Sequence, residues 1–373
     1  MRNYSFYSLL LLAGSAASSS VSAAGDMDVK GRLMIDYARY DGVHNEGQQG
    51  DDWFVRRARI ALDHDSERGW EAQLEVDFDA DSNEVDLTDA YFKYALTDSL
   101  DVQFGKMKES FGLENTTSSN DIQTLERSVG TDVFSPGRNY GVALIGDHSS
   151  LYWQLGLFQS ARDENEKSSY AYTLRTAFSP VHSKQSVLHL GLSATLRDMA
   201  GEDYEINSPI EISVGDKIIE SDEYTLDSMQ TYALEGAWTY KRFSVQSEYF
   251  KQYLKQERSE GATIGDDPDF AGFYTTLSVF FTDHTREYKN GSFEGFNPVG
   301  DEHGVELVAR YSEIEILDAG EGVVADSLAV TLNYYLSKDV RLLLETSFTD
   351  VESSDPDENG KANATSFRVM YKF

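Results

Sequence analysis

Between Trp70 and Asp79 every second residue is apolar: Trp70, Ala72, Leu74, Val76 and Phe78 alternate with Glu71, Gln73, Glu75, Asp77 and Asp79. A period of two gives a β-strand one apolar face and one polar face, and no helix can present that division. Comparable writing runs through 88–96, 100–105, 150–159, 170–178, 187–197, 231–240, 243–250, 273–281, 305–315, 328–336, 340–348 and 365–373, while helical periodicity is nearly absent. Adding 29–40, 54–62 and a strand near 140–145 gives about 16 strands, within the range of single-chain membrane barrels. The fold class expected is all-β.

A soluble sandwich would alternate as well, but its two apolar faces bury each other and aliphatic residues dominate them. Here Tyr, Phe and Trp recur toward the strand ends, as in the aromatic girdles of a membrane barrel. Connectors alternate too: DHDSER, LTDS, GDHSS, SPVHSK, YKR and SKD are short, whereas 41–51, 109–139, 198–228, 255–270 and 350–363 are long. Short turns on one side and long loops on the other predict a closed antiparallel transmembrane barrel. One connector, 282–302, is long where parity requires a short turn. Either the strand count slips there or a long segment lies on the short-turn side.

Residues 1–24 read as a secretory leader, with Arg2, an apolar run from Leu9 to Ala13, and small residues to Ala23 and Ala24 where cleavage would fall. The barrel domain is then 25–373, in the outer membrane of a Gram-negative cell, with membrane lipid and lipopolysaccharide as its surroundings. Thirty-two basic against 64 acidic side chains, a formal charge of −32, oppose nucleic-acid binding. The absence of cysteine removes disulfides, zinc-thiolate sites and thiol catalysis. An apolar content of 40% with 22 Tyr and 20 Phe is too rich for an acidic disordered chain.

If the apolar face meets lipid, the other face lines a lumen. That face carries Lys30, Arg32, Arg57, Arg59, Lys93, Arg175, Arg197, Arg310, Arg368 and Lys372, together with Asp36, Glu71, Glu75, Asp77, Glu235, Glu248, Glu306 and Glu345. Rows of Arg and Lys in a wet lumen favour anions and acidic rings favour cations, so the sign is contested. The densest basic element is FVRRARI, in which Arg57 and Arg59 point inward and Arg56 outward, toward anionic headgroups. Alternatively the arginines only pair with carboxylates across the barrel. The stretch 109–139 is either an external flap or a segment folded into the lumen. In the second case Arg127, Arg138, Glu114, Asp121 and Glu126 are candidates for a constriction.

Loop 198–228 holds ten acidic residues against Lys217 and reads as a solvated acidic face, with divalent ions bridging to lipopolysaccharide as the sharper alternative. DFDADSNEVDLT opens like a calcium loop at Asp77, Asp79 and Asp81, but Ser82 stands where glycine is needed and Thr88 where a bidentate Glu is needed. No metal site is therefore expected. Seven scattered histidines, with no HExxH, GxSxG or phosphate loop, give neither a catalytic constellation nor a cofactor.

The segments GRLMIDYARYD, FVRRARIALD, DAYFKY, VQFGKMKESFGLEN and FFTDHTREYKNGSF, with the closing VMYKF, resemble the phosphate-selective porin O/P family of Gram-negative outer membranes. The resemblance implies a homotrimer of sixteen-stranded barrels, a long loop after the VQFGK strand folded inward, and basic residues guiding inorganic anions. Arg57 and Arg59 match the family's inward arginine ladder by position, and Arg32, Arg175, Arg197 and Arg310 by facing alone. Phosphate-selective members place lysines at the constriction, and 109–139 contains none. The expectation is a passive porin for small hydrated solutes, anions such as phosphate, with a narrowed pore lined by Arg57, Arg59 and Arg138. The alternatives are a general or cation-preferring channel, favoured by the inward carboxylates, and a surface receptor whose acidic loops bind a partner.

Overall fold

The computed structural model describes residues 25–79, 84–159, 169–257, 267–297, 303–354 and 359–373. The leader expected at 1–24, Asp81 and Ser82 of the calcium-like stretch, and the parts of the acidic loops at 258–266 and 355–358 lie outside them. Sixteen of the described strands close one antiparallel barrel. They are β1 (Gly25–Tyr40), β2 (Gly50–Ser66), β3 (Trp70–Phe78), β4 (Val85–Thr97), β5 (Leu100–Lys108), β6 (Arg138–His148), β7 (Leu151–Gln159), β8 (Tyr170–Ser183), β9 (Ser186–Tyr204), β12 (Tyr224–Tyr240), β13 (Phe243–Gln256), β14 (Asp269–Phe280), β17 (Gly304–Asp318), β18 (Glu321–Tyr335), β19 (Val340–Ser353) and β20 (Gly360–Lys372). Two small pairs lie outside that ladder, β10 (Asn207–Ser208) with β11 (Ile219–Glu220), and β15 (Thr285–Lys289) with β16 (Ser292–Asn297). The seam pairs β1 with β20, from Arg32 opposite Lys372 to Tyr40 opposite Ala364.

Burial is inverted relative to a soluble protein. Leu74, Phe92, Phe104, Val142, Leu155, Leu192, Leu234, Leu277 and Leu344 stand exposed on the outer wall, while Asp36, Arg175, Glu235, Glu248, Arg310, Glu345 and Arg368 are enclosed. That is the division a bilayer requires, with an apolar belt outside and a polar interior. Across β3, β4 and β5 the rings of Trp70, Phe92 and Phe104 form an outer row at centroid distances of 6.3 and 5.6 Å.

The connector between β14 and β17 lies at the end of the short turns, so the strand count does not slip at 282–302. It folds as the β15–β16 hairpin, turning at Asn290–Gly291 with positive φ at both residues. Asn-Gly supplies that left-handed pair at least cost. A Cβ on Gly291 would sit 2.8 Å from the Tyr152 ring, because the hairpin tip presses on the far wall.

Two expectations are corrected. The acidic stretch 198–228 is shorter as a loop, because the β9–β12 ladder continues past Asp198 to Tyr204 opposite Tyr224. Glu205, Asp216, Asp222 and Glu223 do face solvent, but the rest of this loop folds into the barrel mouth. There Ile206, Ile210, Ile218 and Ile219 join Phe250, Phe270 and Tyr274 in an internal apolar cluster, and Glu211 is buried. The hydrophobic surface those isoleucines remove from water outweighs the acidic composition of the segment. The same loop closes over 41–49, where Asp216 N donates to the His44 carbonyl (2.9 Å), and burial pushes the His44 imidazole down to about 4.

The second correction concerns Arg56, expected to point toward headgroups. The β1–β2 register shifts between Met34 and Ile35, which pair with Arg57 and Val55, leaving Arg56 as the extra residue of a β-bulge. A bulge breaks strict alternation, so Arg56 as well as Arg57 faces inward.

This facing predicts the outcome of a paired substitution. Leu74→Arg, on the lipid face, should lower unfolding stability in lipid by about 2–4 kcal/mol if it sits near the midplane, whereas Gln73→Arg, beside Asp63 on the wet face, should be close to neutral. Urea titration of the two variants in vesicles measures both, and equal losses would contradict the facing.

Candidate functional site

The chain leaves β5 at Lys108 and turns into the lumen, where wall carboxylates receive it. The one-turn helix α1 (Leu113–Thr116) begins against Glu248 of β13, whose Oε1 and Oε2 accept the amides of Leu113 (2.6 Å) and Glu114 (2.8 Å). A carboxylate there satisfies amides that no helical carbonyl reaches. Gly112 has φ of +71°, and a Cβ on it would sit 2.8 Å from Glu248 Oε1, so this turn excludes any larger residue. Further along, Glu345 accepts the Leu125 amide at 2.8 Å, Arg341 donates to the carbonyls of Ile122 (2.7 Å) and Gln123 (3.1 Å), and Arg368 donates to the Leu125 carbonyl. The segment ends in α2 (Val129–Phe134), where Ser128 caps Thr131 N and the Phe134 ring packs at a tilt beside Phe250, 6.1 Å between centroids.

These anchors hold the loop against the wall from β8 to β20. The arginines read from the sequence therefore divide by environment. Arg175 is enclosed, bound to Glu235 (2.7 Å) and to the Gly291 carbonyl of the hairpin (2.7 Å). Arg310 is enclosed among Thr124 Oγ1 (2.6 Å), the Glu126 carbonyl (2.8 Å), Glu211 (2.9 Å) and Glu114 (3.3 Å). Arg197 meets Glu109 at 2.9 Å. All three lie on the lumen face, as their positions predict, but under the inner segments and paired with carboxylates. Glu114 also binds Ser128 N (2.9 Å) and Thr131 Oγ1 (2.8 Å), so it organises the loop from within. Asp121 stands 3.5 Å from Lys372.

The wall from β1 to β6 is less enclosed, although Glu75 and Asp89 are themselves buried. Around Glu75 stand Arg32 (2.7 Å), Arg59 (3.3 Å) and Arg138 (3.8 Å), with Arg59 also on Asp77 (2.7 Å) and Arg138 on Asp89 (3.0 Å). Arg138, counted with the loop from the sequence, is the first residue of β6. Glu126 joins the loop to this wall, taking two bonds of 2.8 Å from Arg56 and one of 2.7 Å from Arg368. Enclosure alone would raise its carboxyl, but those two guanidiniums win and hold it well below the usual carboxylate range.

Three cations beside this network have no carboxylate partner among the described residues. Arg127 donates to the carbonyls of Glu114 (3.1 Å) and Thr117 (2.9 Å), and Lys108 to that of Asn115 (2.7 Å). Arg57 makes no side-chain hydrogen bond or ion pair among the described residues. All three are half-buried, and Arg127 lies within electrostatic reach of both Arg57 and Lys108. Lys108 stands one residue before the stretch 109–139 and so falls outside the candidates drawn from it. Its signal was present in VQFGKMK, at the point where the strand gives way to the loop.

The loop's anchorage can be tested. Glu248→Ala leaves two enclosed amides without an acceptor, which should lower stability by about 1–3 kcal/mol and give larger, noisier single-channel currents. Urea titration and planar-bilayer recording check this, and an unchanged current trace would mean that other contacts suffice to hold the loop.

A family model described as phosphate-selective porin O and P matches residues 27–373. Porin O of Pseudomonas aeruginosa is 25% identical over 394 residues, covering 92% of this chain and 87% of that protein. Among solved structures, an anion-selective porin from Comamonas acidovorans superposes with a TM-score of 0.59 at 10% identity, covering 94% of this chain and 100% of its own. The trimer form of OmpT, an outer membrane protein of Vibrio cholerae, gives 0.58 at 13% identity with coverages of 94% and 100%. OmpF of Salmonella typhi gives 0.60 at 10% identity, covering 94% and 98%. At such identities these structures speak for the fold.

Proposed function

The chain belongs to the phosphate-selective porin O and P family, and from that premise we propose that its passage takes small hydrated anions, phosphate among them, in preference to cations. It is an outer-membrane porin and not an enzyme. The observation that carries the anion reading is the group Arg57, Lys108 and Arg127, three cations at the root of the inner loop with carbonyl partners or none. Such groups can replace part of an anion's hydration without holding it in a closed pair, so the ion enters and leaves again.

The carboxylates that favoured the cation reading are engaged elsewhere. Asp36 is held by Arg368, Glu345 by Leu125 N and Thr331, and Glu306 by Gln123, Asn333 and Tyr335. The Arg32, Arg59 and Arg138 group is balanced by Glu75, Asp77 and Asp89, so the three cations without carboxylate partners supply the excess positive charge. Assembly as a homotrimer, export by a cleaved leader at 1–24, and outer contact with lipopolysaccharide complete the reading. The likeness to a porin solved in a trimer form supports the first.

The test is the zero-current potential in a planar bilayer under a KCl gradient. The wild-type protein should prefer chloride, with phosphate reducing chloride current. Arg57→Glu combined with Lys108→Glu should move the potential toward cation preference and remove the phosphate effect. A double variant with unchanged potential would overturn the assignment.

A further inference from the structure

At the end of the short turns β12 and β13 are joined by two residues, Lys241 and Arg242, between the paired Tyr240 and Phe243. Lys241 has φ of +54°, a conformation that so short a turn ordinarily gives to Gly, Asn or Asp, so the lysine is kept there at a cost in backbone strain. Its ammonium lies 5.3 Å from the centroid of the Tyr240 ring, and Tyr240 is exposed on the lipid side of the wall, so this charge is turned outward. Arg242 is exposed as well, and neither residue has an ion pair among the described residues. The adjoining turn between β8 and β9 adds exposed Lys184, and Lys241 N donates to the Gln185 carbonyl (2.6 Å) from one turn to the other. No Asp or Glu occurs in 179–187 or 236–247. Asp283, in the next connector, pairs with neither cation. In a chain with twice as many acidic as basic residues, this sector of the rim is basic throughout.

Beside this turn the outer wall is hollowed into an open groove of about 440 Å³, almost wholly apolar. The register explains the hollow. Val245 lies between Trp238 and Leu277 across the ladder, Val279 is opposite Phe243, and Ala309 is opposite Leu277, so small side chains alternate with large ones. Trp238, Phe243 and Leu277 are each about half exposed and form the raised edges. Phe243 follows Arg242 directly in the chain, so the groove begins where the basic turn ends.

We infer that this end of the wall binds an anionic phospholipid of the periplasmic leaflet, with its phosphate at Lys241 and Arg242 and an acyl chain in the groove beside Trp238. The short turns of such barrels face the periplasm, and tryptophan settles at the headgroup level of a bilayer. An apolar groove accepts the chain of any lipid, so the groove fixes position and the cations choose the headgroup. Phosphatidylglycerol brings an uncompensated negative charge to them, whereas phosphatidylethanolamine brings its own ammonium. The site lies on the outer wall, away from the passage, and it stands without the anion reading of the pore.

Quenching of tryptophan fluorescence by brominated lipid tests it in the purified barrel reconstituted into vesicles. The vesicles are phosphatidylcholine with equal minor fractions of phosphatidylglycerol and phosphatidylethanolamine, and the acyl-chain bromines are placed on one or the other, so membrane charge stays constant. The signal of Trp238 is the difference between the wild type and Trp238→Phe. Bromines on phosphatidylglycerol should quench it more than bromines on phosphatidylethanolamine, by an amount that corresponds to about fivefold or greater local enrichment. Lys241→Asn combined with Arg242→Gln should bring the two lipids to parity. Asn suits the left-handed turn better than lysine does, so that loss would not come from unfolding. Arg68→Gln, which removes a basic residue from the short turn between β2 and β3, should keep the preference. Equal quenching in the wild type, a preference that survives in the double variant, or its loss in Arg68→Gln would each overturn the proposal. So would a Trp238 that neither lipid quenches, as it would stand under a second copy of the chain.

Discussion

Closure of the ladder between β1 and β20 is the constraint from which the rest of the molecule follows. In a bilayer an open sheet edge has no water to satisfy its amides and carbonyls, so the sheet must return on itself. A closed ring of sixteen strands encloses more space than its own side chains fill. Apolar filling would leave no wet route through, so this chain fills the interior with polar pieces of itself. The inner loop after β5, the loop between β9 and β12, and the hairpin between β14 and β17 all enter the interior, the inner loop being anchored mainly on β8 to β20. They leave the charged groups from β1 to β6 less enclosed than those of the opposite wall.

Charge pairing decides which arginines are structural and which are available. Where an inner segment covers the wall, a carboxylate accompanies the guanidinium: Glu235 with Arg175, Glu109 with Arg197, Glu211 and Glu114 with Arg310. Leaving one of those partners alone in an enclosed place would be strongly destabilising, so each pair is fixed by the packing around it. Beside the inner loop, half-buried Arg57, Lys108 and Arg127 stand without carboxylate partners among the described residues. The net charge of −32 is carried in part by the loops outside the barrel and in part by the carboxylates that fasten the interior.

Much of this was legible in the sequence. Strict alternation around Leu74 gave the strands and their lipid face, because a bilayer tolerates no exception there. The inner loop was legible as a possibility, and its direction came from likeness to a family. What alternation could not give was any feature set by a neighbouring strand. Arg56 turned inward because the bulge depends on register against β1, and nothing in FVRRARI alone records that register. Loop 198–228 read as acidic and solvated because composition averages over residues, while four isoleucines at chosen positions direct its fold. Facing alone likewise could not separate Arg310, enclosed under the loop, from Arg59, on the less enclosed wall.

Arg368 lies on the last strand, yet it grips Asp36 on the first strand and Glu126 on a loop made long before it. During insertion the first and last strands must find each other in the correct register, and a slip by two residues would preserve every inward and outward side chain. The bilayer cannot detect such an error. The slip would, however, carry Arg368 roughly 7 Å along the seam, away from both carboxylates, and leave Arg368 and Asp36 unpaired, since Glu126 keeps Arg56. One guanidinium therefore makes the misaligned cylinder costlier than the aligned one, a distinction the alternation of faces alone does not draw.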